Sequence, residues 1–379
     1  MITNASRLFR VSLFRASLGA ACLLLPVALH AQLYLSSGHV DLNVGHSPAP
    51  GPGFGLYAHH VSALFGGTTR DEPIDHTVFF VPDTGGRFPT AGGLLPFLGQ
   101  SGQPVWLIPQ NNPPATVPWV GVGGYGLGGT DGSPSTELDV FDPLPELTGN
   151  AVVPAVRVRF VGALTPPGAD FALWQTGSGG SINLFFSNRP GTTAPQLFGL
   201  RRGQHIHFNW GFSQPGYYRV RLRLEGRIGG SEVAPRDFNV DFAISTLPLY
   251  EQWRRAGGRF TELERATRAI GGQQADPDAD GRPNLLEYAF GAEPRLADTA
   301  PGAPRVALSG ATPALAFTRL ADPLFVYRVE SSTTLTTWSE TWSSTGPGNT
   351  AGAVSVPAPA PLSPSAPRSF LRLRASLVE

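Results

Sequence analysis

The stretch SQPGYYRVRLRLEG, residues 213–226, sets Arg219, Arg221 and Arg223 in alternation with Val220, Leu222 and Leu224. A period of two is what a β-strand with one wet and one buried face produces, because successive side chains point to opposite sides. Comparable runs recur from Leu33 to about Ser245: HTVFFVP (76–82), PVWLIP (104–109), AVRVRFVGAL (155–164), DFALWQT (170–176), SINLFFS (181–187) and FNVDFAIS (238–245). Gly, Pro, Asn and Asp punctuate them. Many short strands so punctuated predict a mostly β protein whose residues 32–247 form an antiparallel β-sandwich or barrel-like domain. The glycine-rich GVGGYGLGGTDGSPS (121–135) reads as a long surface excursion.

Composition points the same way. Glycine (46) and proline (37) exceed a fifth of the 379 residues, and both penalise helix interiors, which argues against a helical bundle. All 28 basic residues are arginine, which is read as codon usage. Arg7, Arg10 and Arg15 precede an apolar run from Leu18 to Leu29, and ALHA (28–31) ends on a small residue, the pattern of a secretory signal peptide over residues 1–31. Cleavage after Ala31 removes the only cysteine, Cys22, so no disulfide and no thiol nucleophile is expected in the mature chain. It also removes three arginines and no acids, taking the formal charge from 0 to −3, which calls for neither nucleic acid nor an anionic membrane as partner. No later apolar run reaches the roughly 18 residues of a membrane span, and a secreted, extracellular or cell-surface location is expected.

Near residue 248 the pattern changes. PLYEQWRRAG and RFTELERATRAI carry helical spacing, and a helical linker is expected over 248–298. Strand-like runs return in RVALS, PALAFTR, LFVYRVESS, TWSETWSS and SFLRLRAS, so residues 299–379 are read as a small C-terminal β-sandwich. Inside the linker, residues 276–287 match the twelve-residue EF-hand loop: Asp276, Asp278, Asp280 and Glu287 at positions 1, 3, 5 and 12, Gly281 at 6 and Asn284 at 9. A hard cation wants about six to eight oxygens, and the three aspartates, the Arg282 carbonyl and a bidentate Glu287 would supply most of them. Gly271-Gly272 stand where an entering helix should join, and Pro283 lacks the N–H that pairs twin EF-hands. A structural, weak Ca2+ site (about 10⁻⁴–10⁻³ M) is expected; the alternative is an acidic turn capping a helix.

GQHIHFNWGF, residues 203–212, puts His205 and His207 two positions apart in a strand, hence on one face. Neutral imidazoles ligate Zn2+ or Cu2+, with Mn2+ also considered, and one of the early histidines, His39 foremost, could complete such a site. Alternatively Phe208, Trp210 and Phe212 face the core while the histidines lie exposed or hydrogen-bonded opposite. H-x-H alone decides nothing. The metalloprotease H-E-x-x-H, the hydrolase G-x-S-x-G and the phosphate-cradling P-loop are all missing.

With these residues in view, the first domain resembles the choice-of-anchor M family of bacterial surface proteins. The resemblance rests on SSGHVDLNVGH (36–46), VWLIPQ (105–110), GADFALWQTG (168–177) and HIHFNWGFSQPGYYRVRLRLEG (205–226). It implies surface association, in some members alongside metal-type transporters, with His39, Asp41, His205, His207, Asn209 and Trp210 at hallmark positions. The chain carries no LPxTG signal, a departure from the family pattern. The segment after residue 274 looks like the calcium-loop linker and terminal β-module of large secreted bacterial proteins. The expectation is a secreted or surface-associated, non-enzymatic binding or structural protein with an extracellular ligand. The alternatives are a metal-dependent enzyme using the histidines and a glycan-binding module presenting Trp106, Trp119 or Trp174.

Overall fold

The computed structural model describes residues 33–47, 53–62, 66–89, 95–99, 102–111, 113–124, 136–149, 152–309, 312–360 and 369–377. The expected signal peptide (1–31), Cys22 and residues 125–135 of the glycine-rich run lie outside them. Of the described residues 47% are strand and 15% helix, in a mostly β, sandwich-type architecture with several antiparallel sheets and no closed barrel.

Three sheets share the first core. The six-stranded sheet runs in the order β1 (Leu33–Leu35), β5 (Thr77–Val81), β18 (Arg236–Ile244), β15 (Gly216–Glu225), β9 (Ala155–Leu164), β12 (Leu197–Arg201). A five-stranded sheet follows the order β11 (Ile182–Ser187), β10 (Phe171–Thr176), β14 (Asn209–Phe212), β7 (Pro104–Ile108), β6 (Arg87–Pro89). The other follows β13 (His205–His207), β8 (Trp119–Gly123), β2 (His39–Ser47), β3 (Gly53–Ser62), β4 (Thr68–Pro73), and a short ribbon pairs β16 (Arg227–Ile228) with β17 (Ser231–Glu232). Pairing is antiparallel except between β1 and β5, β5 and β18, and β2 and β8.

The arginine strand β15 behaves as its alternation requires. Val220, Leu222 and Leu224 are buried in the shared core, while Arg219 and Arg223 pair with Asp241 and Asp237 directly across on β18. Trp210 and Phe212 of β14 pack on Phe242 of β18, joining two sheets through aromatic contacts 5.4 and 4.9 Å between ring centroids. His205 to Phe212 is one stretch of chain that changes sheets at Phe208, whose side chain is buried. That crossing leaves β13 as an edge strand with its histidines at the sheet border. The glycine-rich run does not begin at the surface: Gly121–Gly123 end the buried strand β8, second in its sheet.

A second hydrophobic cluster unites residues of the helices Leu249–Arg255 and Asn284–Phe290 with the C-terminal strands β20 (Thr312–Arg319), β21 (Phe325–Ser332), β22 (Ser339–Ser344), β23 (Gly352–Pro357) and β24 (Phe370–Leu377), which with β19 (Arg305–Ser309) form two three-stranded sheets. Tyr250, Leu285, Tyr288 and Phe290 are buried there with Phe325 and Tyr327. The helical segment therefore belongs to a core. It is more than a connecting rope. Among the described residues no helix is long and apolar enough to cross a membrane.

Asp241 is 2% exposed and receives two hydrogen bonds from Arg219, at 2.8 and 2.9 Å. Asp241→Ala would leave that guanidinium buried without its carboxylate, and about 3 kcal/mol of stability should be lost in urea unfolding. Asp237→Ala, which breaks the solvent-facing pair with Arg223, should leave the unfolding midpoint almost unchanged.

Candidate metal centre

Two pairs of ligands reach one point from strands far apart in sequence. On β2, His39 and Asp41 share a face; on the edge strand β13, His205 and His207 do the same. Between them lies β8, parallel to β2 with Gly121 opposite Asp41, and antiparallel to β13 with Gly121 opposite His207. A side chain at 121 would stand in the middle of the group. A Cβ there would overlap Asp41 Oδ1 and lie 2.9 Å from His207 Cε1 and 3.0 Å from His205 Nε2. Glycine leaves that volume to the four ligands.

One potential ligand atom from each of His39, Asp41, His205 and His207 lies within 4.8 Å of all the others. The closest pairs are His205 Nε2 to Asp41 Oδ1 at 2.8 Å, His39 Nε2 to His207 Nε2 at 3.1 Å, and His39 Nε2 to Asp41 Oδ1 at 3.4 Å. Donors bound tetrahedrally at zinc distances stand roughly 3.3–3.5 Å apart, so these three separations lie at or just below that spacing. Asp41 is 2% exposed, whereas the His39 and His205 side chains retain 28% and 30% of their exposure. The carboxylate is the buried floor and two imidazoles form the rim. Burial, reinforced by the neighbouring His205 and His39, holds the His207 pKa down to about 4 despite Asp41, so at neutral pH the ring is uncharged, with a proton on one nitrogen and a lone pair to offer on the other.

Trp119 closes one side. Its ring stacks on His207 at 4.3 Å and tilts against His39 at 4.9 Å, while its indole N–H donates to the Gln110 carbonyl at 3.1 Å. Trp106 and Trp174 are buried, at 4% and 2% exposure. Asn209 and Trp210 serve as architecture. Asn209 Oδ1 accepts from the Gln110 backbone N–H at 2.9 Å and its amide faces Thr176 and Trp174, while Trp210 is packed in the core. His59, in register with Asp41 on β3, is drawn the other way, to Asp71 on β4 at 2.7 Å. His46 packs against Phe54 and Phe141. Asp41 and Gly121 are the members that motif reading did not assemble. The available signal was H-x-D at 39–41, the same two-residue spacing as H-x-H.

The second acidic group lies in the loop before the helix Asn284–Phe290. The carboxylates of Asp276, Asp278 and Asp280 converge within the same 4.8 Å limit, around a turn in which Gly281 takes φ +89°. Backbone N–H groups of Asp280 and Gly281 donate to Asp276, and that of Arg282 donates to Asp280. Glu287 is fully buried, and neither of its carboxylate oxygens receives a hydrogen bond. Burial, then the charges of Asp278 and Asp280, pushes its pKa up to about 8. Such a carboxylate is costly unless a cation meets it. The entering side is a single turn, Arg268–Gly271, as the glycine pair foretold. The Arg282 guanidinium engages Asp280 and the Asp298 carbonyl, and the Asn284 amide N–H groups donate to the carbonyls of Ile270 and Gly272 at 2.9 and 2.8 Å, while its buried Oδ1 receives no hydrogen bond.

Above about pH 8, where Glu287 is charged, the parent chain should gain stability on adding calcium, by about 1.4 kcal/mol at ten times Kd. Glu287→Gln should be at least as stable as the parent in chelator and gain nothing from calcium. Thermal unfolding with and without calcium reads both; a chain indifferent to calcium would leave the loop an acidic turn.

No protein-family model matches this chain, and no curated protein matches it, so what these two groups do is argued from their own chemistry.

Proposed function

We propose that this chain is a secreted or surface-associated, non-enzymatic metal-binding protein: a β-sandwich that holds one transition-metal cation at His39, Asp41, His205 and His207. The observation that carries this reading is the convergence of the four ligands over a residue without a side chain. Three imidazoles and one carboxylate, with no sulfur, suit zinc first, then copper or manganese. A catalytic zinc site keeps three protein ligands and an open position. Here Asp41 occupies the fourth place, which favours holding over turnover. The leader-like residues 1–31 support export, and the aspartate loop, loaded with calcium, would neutralise Glu287 and tie the helical segment to the second core. A metal-dependent hydrolytic enzyme is the second reading, favoured by the solvent access of His39 and His205.

Elemental mass spectrometry on protein purified without chelator or affinity metal tests the proposal. About one zinc, copper or manganese per chain is expected. It should be lost in His205→Ala/His207→Ala and reduced at least tenfold in Gly121→Ala, with the circular dichroism of the sheet retained in both. Calcium as the only metal, unchanged in these variants, would overturn it.

A further inference from the structure

The helix Leu249–Arg255 touches both cores. On one side Arg255 lies over the Tyr34 ring of β1, 5.9 Å from its centroid, and Glu251 holds Arg265 of the helix Glu262–Ala266 at 3.3 Å. Ala266, which ends that second helix, packs against the first core. On the other side Tyr250 is buried in the second core and Trp253 packs against it. Adjacent residues such as Tyr250 and Glu251 point in different directions on a helix, so one short helix serves two cores.

Tyr288 completes the joint. Its ring centroid lies 5.2 Å from that of Tyr250, 5.6 Å from Trp253 and 5.7 Å from Phe325 of β21, and its hydroxyl donates to Asp322 Oδ2 at 2.6 Å. It is thus held by the C-terminal module on one side and by the helix that grips the first core on the other. The residue before it is Glu287, the last acid of the aspartate loop.

The docking of the helix Asn284–Phe290 is opposed. Both oxygens of Glu287 are buried without a hydrogen-bond partner, as are Asn284 Oδ1 and Asp278 Oδ2. The charges of Asp278, Asp280 and Asp276 all bear on Glu287, and the Arg282 guanidinium that counters them is engaged by Asp280 and the Asp298 carbonyl. Buried acceptors without donors, in a loop whose three aspartates converge, are what a hard cation with oxygen ligands satisfies.

We propose that calcium in this loop couples the two cores: it seats the helix Asn284–Phe290 and, through Tyr288, fixes the helix Leu249–Arg255 and the first core against the C-terminal strands. The inference rests on the calcium reading of the loop and adds its consequence for the rest of the chain. Ligand and joint are neighbours, Glu287 and Tyr288, so whatever seats the one seats the other. Without the cation the Tyr288 contacts to Tyr250 and Trp253 loosen, and the cores move independently, as domains do when no firm interface joins them.

Scanning calorimetry of the full chain in calcium and in chelator, beside a calorimetric calcium titration of the same sample, tests this. The parent should unfold in one transition with calcium and in two without it. Trp253→Ala removes a joint contact and no loop residue; it should still bind calcium and yet unfold in two transitions under both conditions. Should that variant fail to fold, the comparison in the parent decides. Calcium binding with the same number of transitions in calcium and in chelator would overturn the coupling and leave the loop reading intact. No calcium binding would overturn both.

Discussion

A hydrogen atom where a side chain would be is what the convergence of His39, Asp41, His205 and His207 depends on. In a sheet, residues on adjacent strands stand about 5 Å apart, and two strands separated by a third are nearly 10 Å apart. Imidazole and carboxylate side chains can bridge that gap only over a middle strand that presents nothing. Gly121 is that vacancy, and parallel pairing on one side with antiparallel pairing on the other brings Asp41 and His207 level with it. The adjacent row repeats the arrangement with Gly123 between Asn43 and His205. The glycines of β8 thus open a polar trough on one face of a sheet whose other face is Val40, Leu42, Val120 and Val122 of the core.

The surrounding fold keeps that trough in place. The chain carrying His205 and His207 continues through Phe208 into β14, whose Trp210 and Phe212 are locked among the aromatics of the facing sheet. Asn209 ties the same strand to Gln110, and Gln110 accepts from Trp119, the ring stacked on His207. Each ligand strand is therefore anchored within a few residues of its histidines. This is the rigid backing a preorganised cation site requires.

Much of this was legible in the chain, and the reasons are physical. Alternation marks strands, so AVRVRFVGAL and RVALS are strands over those same residues. The acid spacing of 276–287 marked the loop and the helix from Asn284 to Phe290, because both are local. The packing of the 248–298 segment was less legible. Tyr250 and Tyr288 look like scattered aromatics in sequence, and only the fold shows them sharing a core with Phe325. The same limit hid Gly121 inside a run that reads as a loop, since its role exists only between Asp41 and His207, 80 residues to one side and 86 to the other.

X-ray absorption at the zinc edge of the zinc-loaded chain tests the central claim most directly. The account predicts nitrogen and oxygen scatterers at about 2.0–2.2 Å, with the outer-shell signature of three imidazoles and no sulfur. A shell of oxygens alone, without imidazole scattering, would place the metal elsewhere and contradict it.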